Sequence, residues 1–528
     1  MADVRTTEQT ADEPAPAEQP PTGRAVVITA AAAAALAIAY LLLGAGGTDL
    51  SAQAERAQFA SRHGLVPIDF SWYGGTNQFG YSLVSQFVMA ALGTRLTGAL
   101  AAAASALALT ALLARTGAKR PELGGVVAAV CIFGNLVSGR ITYALGLAFA
   151  LGALLALTDR NPRRRLVLAV IGALLASATS PVAGLFLGLA AAALIASHKV
   201  RDGLTLGIAA VVPIAVVSGL FGEGGWMNIS RSDTWHGVVL SLVVLVFVPG
   251  RAVRIGAVLS ALGVFAAYHV HTPVGLNAIR LAVMFCIPLL VARSRWNLPA
   301  VAVVVALVWW WVPPVMTGDL EDAGTHTAQQ SYYTPLVDEL HTLQPAARVE
   351  VPPTRDYWES VHVADEVPIA RGWLRQLDIG RNPLFFNGTL TADSWHSWLQ
   401  DNGVRYVALP DAQLSWVGSG EARLIRAGQP YLHKVWQGAH WQLYAVSGAT
   451  GIAPGATVVR ADSTSVTVRV STAGPVPVKV RFSRWLTLDH SGACLRPAGR
   501  WSALQVDKPG TYRISSSLHW RQSARCPG

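Results

Sequence analysis

Residues 25–44 read AVVITAAAAAALAIAYLLLG. Wound as an α-helix, an uncharged apolar run of this length matches the hydrocarbon thickness of a bilayer. It is too long for the apolar core of a cleaved signal peptide, and the segment before it is acidic as well as basic. Similar runs recur at 96–115, 122–138, 141–158, 166–179, 181–197, 203–221, 237–249, 255–270, 277–292 and 298–316. The expectation is an α-helical polytopic membrane bundle of about 11 transmembrane helices over residues 25–317. Ser82–Leu92 is apolar but too short to cross, and reads as an interfacial or re-entrant helix.

The charges say the same. Of 528 residues, 14% are charged and 52% hydrophobic, against about 25% charged in an ordinary soluble chain. The deficit is confined to the apolar region; residues 318–528 have ordinary globular composition. The net charge of +10 sits mostly in short clusters between apolar runs: Arg115/Lys119/Arg120, Arg160/Arg163/Arg164/Arg165, Lys199/Arg201, Arg251/Arg254 and Arg293/Arg295. They fall at every second junction, which is the positive-inside pattern and argues against a nucleic-acid partner. With a cytoplasmic N-terminus, all five clusters become cytoplasmic. Loops 46–81 and 222–236 and the C-terminal region then lie outside the cell membrane. Residues 1–24, rich in Pro, Glu, Thr and Ala, read as a disordered cytoplasmic tail.

Past the spans, residues 318–447 mix helix-like and strand-like stretches and suggest an extracytoplasmic α/β domain. Residues 456–528 alternate in period two (ATVVRAD, SVTVRVS, VPVKVRFS, TYRISSS), which suggests an extracytoplasmic all-β, sandwich-like domain over 448–528. Cys494 and Cys526 in that exported part suit a disulfide. Cys131 and Cys286 lie in apolar runs and suit packing as small hydrophobes.

The residues able to carry chemistry cluster on the outer side. The loop HGLVPIDFSWYGGTNQFGYSLVSQ holds Asp69 among Trp72, Tyr73 and Tyr81. A carboxylate there can serve as a general base or bind a cation. The rings offer flat faces to the apolar C–H surface of a sugar, or simply occupy the interfacial aromatic belt. Glu223 is a second-choice acid in the other outer loop. Arg280 lies inside an expected span, where a charge is costly and is functional or paired, and Asn277 shares its helical face. Arg140 sits at an outer helix end. Guanidinium forks bind phosphate in bidentate fashion, so these three are the candidate donor-phosphate residues. No Cys/His set has zinc spacing, and there is no phosphate-binding glycine loop. The cofactor stays open, a divalent metal ion at Asp69 being one candidate.

The strings DFSWYGGTNQFGYSLVSQ, NLVSGRITYALG, SPVAGLFLG, TPVGLNAIRL, ARGWLRQLDIGRNPLFFNG and NGVRYVALPD resemble a family of bacterial polytopic membrane proteins over about residues 25–447. The layout also resembles the GT-C superfamily of membrane glycosyltransferases. That resemblance implies a polyprenyl-phosphate-linked sugar as donor and an envelope polysaccharide or protein as acceptor, with membrane lipids as surroundings. It also implies a catalytic acid in the first outer loop, where Asp69 stands. Many such enzymes pair two acids in that loop, whereas Asp69 has no acidic neighbour in the sequence. A lipid or envelope-component transporter (or flippase) and a non-catalytic envelope assembly protein remain the alternatives.

Overall fold

The computed structural model describes residues 22–44, 46–313, 317–343, 348–519 and 524–526. Of the expected N-terminal tail, residues 1–21 lie outside the described residues, and 22–24 begin the first helix. A helix stands at every one of the apolar stretches: α1 (Thr22–Leu42), then α4 to α13 after two shorter helices, α2 (Leu50–His63) and α3 (Ser85–Leu92). These are α4 (Thr94–Arg115), α5 (Pro121–Val137), α6 (Ile141–Ala156), α7 (Pro162–Thr179) and α8 (Pro181–Ala196). They continue as α9 (Val200–Phe221), α10 (Arg231–Phe247), α11 (Arg251–His269), α12 (Arg280–Arg293) and α13 (Leu298–Trp311). Among the described residues, five helical stretches are long and apolar enough to cross a bilayer: Gly23–Leu42, Thr94–Arg115, Val200–Phe221, Arg251–His269 and Gly275–Arg293.

The outward faces of the apolar helices are apolar as well: Ile38 of α1 is 60% exposed, Ile208 of α9 65%, Val246 of α10 64% and Trp310 of α13 84%. Such surface suits lipid, not water. Their inward faces are small. Gly125 leaves room for Thr29 and Thr110, whose hydroxyls hydrogen-bond at 3.1 Å between α1 and α4. Pro181 makes a plain turn: it opens α8, with the Ser180 hydroxyl accepting from the backbone N–H of Ala183.

The junctions sort to two ends. Arg293 donates to Thr116, Arg120 to the Trp296 carbonyl, Arg115 to Thr158, and Arg165 pairs with Asp202, so these basic junctions share one end. At the opposite end the Asp49 N–H donates to Ser138 O, Leu83 N–H to Ala178 O and Trp226 N–H to Gln376 O. Loops 46–81 and 222–236 and the C-terminal region gather there.

The first C-terminal unit carries α14 (Thr317–Glu321), α15 (Gln330–Thr342), α16 (Glu359–His362), α17 (Arg375–Arg381), α18 (Ala392–Asp401) and α19 (Ser419–Arg426). The first outer loop contributes the strands β1 (Ile68–Asp69) and β2 (Thr76–Asn77). Then β3 (Arg348–Glu350), β4 (Val404–Pro410), β5 (Leu432–Gln437) and β6 (Trp441–Val446) form a mixed sheet in the order β3-β4-β6-β5. The second unit holds β7 (Thr457–Ala461), β8 (Val466–Val470), β9 (Gly474–Val478), β10 (Leu486–Leu488), β11 (Ala493–Ala498), β12 (Trp501–Val506) and β13 (Gly510–Ser516). These make two facing sheets, β10-β13-β8-β7 and β11-β12-β9. Val468, Val478, Leu495, Leu504 and Ile514 fill the space between them. A disulfide joins Cys494 to Cys526. Cys131 and Cys286 are free and buried.

The first outer loop is not a surface loop. Ile68 and Phe70 join the core of the β unit, and the Phe70 N–H donates to Ser463 O at 2.8 Å. The Ile369 N–H donates to Ser71 O at 2.9 Å, and the Arg481 N–H to Gly74 O at 2.7 Å. The loop is therefore stitched into both C-terminal units.

Candidate functional site

Three helices begin at one place. Asp49 precedes α2, Arg140 precedes α6, and Arg280 is the first residue of α12. The Asp49 carboxylate makes no capping bond to its own helix. Its Oδ2 lies 3.2 Å from Arg140 Nε and 3.8 Å from Arg280 Nη2. The three side chains stay 19%, 25% and 17% exposed, so a ligand can reach them. The first N–H groups of these helices are already used: Leu50 donates to Gly47 O, Thr142 to Gln53 Oε1 and Arg280 to Asn277 O, so the positive character of this point comes from the arginines. Two guanidiniums against one carboxylate leave a net positive charge.

Neighbours hold the arginines. Arg140 Nη1 donates to Asn135 Oδ1 at 3.2 Å. The Arg280 guanidinium lies 5.2 Å from the ring centroid of Tyr143. Behind Asp49, on α2, Gln53 Oε1 accepts from the Thr142 hydroxyl at 2.6 Å, and its amide donates to the Tyr81 hydroxyl at 3.5 Å. The Tyr81 ring meets Trp373 edge to face, centroids 6.3 Å apart. Trp373 belongs to the C-terminal region, and its indole N–H donates to Thr48 O at 2.7 Å. Both rings are half-buried. Asp319, just past the last apolar helix, accepts from the Ser138 hydroxyl; burial raises its pKa.

Of the residues singled out in the sequence, Arg140, Arg280 and Tyr81 thus come together. Asn277 is buried in the turn before Arg280 and has no side-chain bond to either arginine. Asp69 is elsewhere. It is 0% exposed; its Oδ1 accepts from the Ser71 N–H at 2.8 Å and from the Ser71 hydroxyl, and its Oδ2 from Gln78 Nε2 at 3.3 Å. Among the described residues it pairs with no arginine. Nor is it without an acidic neighbour: Glu55 of α2 lies against it. Burial raises both carboxyls, Glu55 the more, because the Asp69 charge adds to it. The buried Arg56 beside them works the other way on both.

Trp72 and Tyr73 are buttresses, only 1% and 2% exposed. The Trp72 indole donates to Ser360 O at 3.0 Å, and the Tyr73 hydroxyl donates to Gly372 O. Buried against the C-terminal unit, neither offers a face to a sugar. Glu223 is occupied by Arg381 at 3.0 Å, and Arg381 also donates to Gly75 O at 3.2 Å, so this acid ties the second outer loop to the C-terminal region. Sequence reading missed Asp49, Gln53 and Trp373. A lone acid just after a span was the available signal for the first.

Among the described residues no group of three or more His, Cys, Asp or Glu side chains is arranged to hold a metal ion.

Residues 453–528 match a family model described as a domain of unknown function, DUF8823, which coincides with the β unit. No curated protein matches the chain in sequence. The fold is similar to the cryo-EM structure of arabinofuranosyltransferase AftD from Mycobacteria, at 17% identity and TM-score 0.48 over 85% of this chain. The chain spans 41% of that protein's length. It is also similar to the crystal structure of ArnT from Cupriavidus metallidurans bound to undecaprenyl phosphate, at 14% identity and TM-score 0.43 over 81% of this chain and 99% of that one. One neighbour is a glycosyltransferase by name, and the other holds undecaprenyl phosphate.

Proposed function

We propose that the chain is a GT-C-like glycosyltransferase that moves a sugar from a polyprenyl-phosphate donor to an envelope acceptor at the outer membrane face. The observation that carries this reading is the meeting of Arg140 and Arg280 on the Asp49 carboxylate where three helices begin. The eleven helices are taken as spans, with residues 1–24 cytoplasmic, the spanning domain at 25–317, and outer domains at 318–447 and 448–528.

The donor's phosphate, arriving sideways from the bilayer, binds the two guanidiniums in place of Asp49. That exchange frees the carboxylate beside the sugar. Asp49 then takes the proton of the acceptor hydroxyl, whose oxygen attacks the anomeric carbon. The bond from that carbon to the phosphate oxygen breaks, and the phosphate leaves with the electron pair, its charge held by Arg140 and Arg280. A single displacement inverts the anomeric centre. Tyr81 and Trp373 offer ring surface to the sugar.

The test supplies membranes with labelled polyprenyl-phosphate sugars. Asp49→Asn should cut transfer about 100-fold or more, the usual scale for a lost general base. Asp69→Asn should leave transfer intact in folded protein. Unchanged transfer by Asp49→Asn would sink the mechanism, and donor binding without any transfer by the wild type would favour lipid transport.

A further inference from the structure

A second cluster stands apart from Asp49. Trp416 is 59% exposed, while the other described tryptophans of the C-terminal region are buried or half-buried. Phe386 meets it edge to face, centroids 5.8 Å apart at 83°. The Arg375 guanidinium lies 5.2 Å from the Trp416 centroid and 6.0 Å from that of Phe386. Arg375 is fixed from behind: its Nη2 donates to the Tyr357 hydroxyl at 3.1 Å, and that hydroxyl is also 3.1 Å from Ser415 Oγ. Tyr357 is held at φ 59°, a conformation that costs a non-glycine residue about 1–3 kcal/mol and recurs at ligand sites. Among the described residues Arg375 forms no ion pair with a carboxylate.

We propose that Arg375, Phe386 and Trp416 form a carbohydrate subsite for an anionic glycan, which on the transferase reading is the acceptor chain. An exposed indole face takes the apolar C–H face of a pyranose, and the arginine beside it takes a carboxylate or phosphate on the next residue. An apolar protein partner would leave this guanidinium buried and uncompensated. Arg375 is two residues past Trp373 in the chain, and the Trp373 indole is bonded to Thr48, next to Asp49.

The experiment measures binding of oligogalacturonate and of neutral maltoheptaose to the full chain in nanodiscs, without donor. Oligogalacturonate should bind, and more tightly than maltoheptaose. Trp416→Ala, a surface change that spares the fold, should weaken it roughly tenfold, the scale of one stacked ring and its cation contact. Arg375→Lys should narrow the gap between the two sugars. Equal binding by Trp416→Ala and wild type, equal affinity for both sugars, or no oligogalacturonate binding at all overturns the proposal. Because no donor is present, these outcomes stand or fall apart from the transfer assay on Asp49.

Discussion

The indole N–H of Trp373 donates to the carbonyl oxygen of Thr48 at 2.7 Å, so a residue of the C-terminal region sets the backbone beside the carboxylate shared by two membrane-domain arginines. Removing one such donor and leaving its acceptor unpaired costs about 1–3 kcal/mol. Trp373→Ala should therefore lower kcat/KM for transfer by roughly 5- to 150-fold if that cost falls on the transition state. Trp373→Phe keeps a ring against Tyr81 and should fall between the two. Steady-state kinetics on membranes checks the order.

Arg280→Lys keeps the charge and loses the planar fork. Binding of undecaprenyl phosphate should weaken roughly 10- to 100-fold, a loss of one or two charge-assisted bonds. A retained-lipid assay after detergent extraction measures it. Affinity equal to wild type would remove Arg280 from the phosphate site.

Stability should fall as pH rises. Burial pushes the Asp356 and Glu421 carboxyls up to about 7 and Glu359 up to about 8, and raises Glu55 and Asp69 as well. The folded chain then binds more protons than the unfolded one above the ordinary carboxylate pKa of about 4. That stability is complete below about pH 4 and is lost as pH passes the folded values near 7 and 8. His362, lowered by burial, works the other way near its ordinary pKa. Thermal scans from pH 5 to 9 should show a declining Tm, and Glu55→Gln should flatten the decline by removing one of two facing carboxyls.

Glu223→Gln tests the docking role of the Glu223–Arg381 pair. It should leave donor binding unchanged, because neither residue touches Asp49. Loop 222–230 should become more open to protease, since removing one partner of a half-buried pair strands the other charge at a cost of about 1–3 kcal/mol. Loss of donor binding with an intact loop would return Glu223 to the list of candidate acids.

Arg140 and Arg280 were legible because a charge in or beside an apolar run must have a partner. The partner itself was hidden. Asp49 looks like any loop acid until the starts of α6 and α12 are brought side by side, and that depends on packing between helices some 140 positions apart. Trp72 and Tyr73 suggested an interfacial belt because their own neighbours are turn residues. The groups that bury them, Ser360 and Gly372, lie about 300 residues further on. Glu55 was missed for the same kind of reason: 14 residues before Asp69, it belongs to a polar helix with no sign of burial in its sequence. Periodicity along the chain identified the helices and the β unit, but it carries no information about which distant surfaces meet.

The stitching of the first outer loop into the β unit also imposes an order on biosynthesis. His63 and Ser463, which lie 3.3 Å apart, are made 400 residues apart. At about 5–20 residues per second, the strand carrying Asp69 waits on the order of 20–80 s for its partner. During that interval Phe70, Trp72 and two carboxyls stand in water at the membrane surface. A ribosome that stops short of residue 453 therefore leaves a protein whose helices are inserted and whose first loop cannot close.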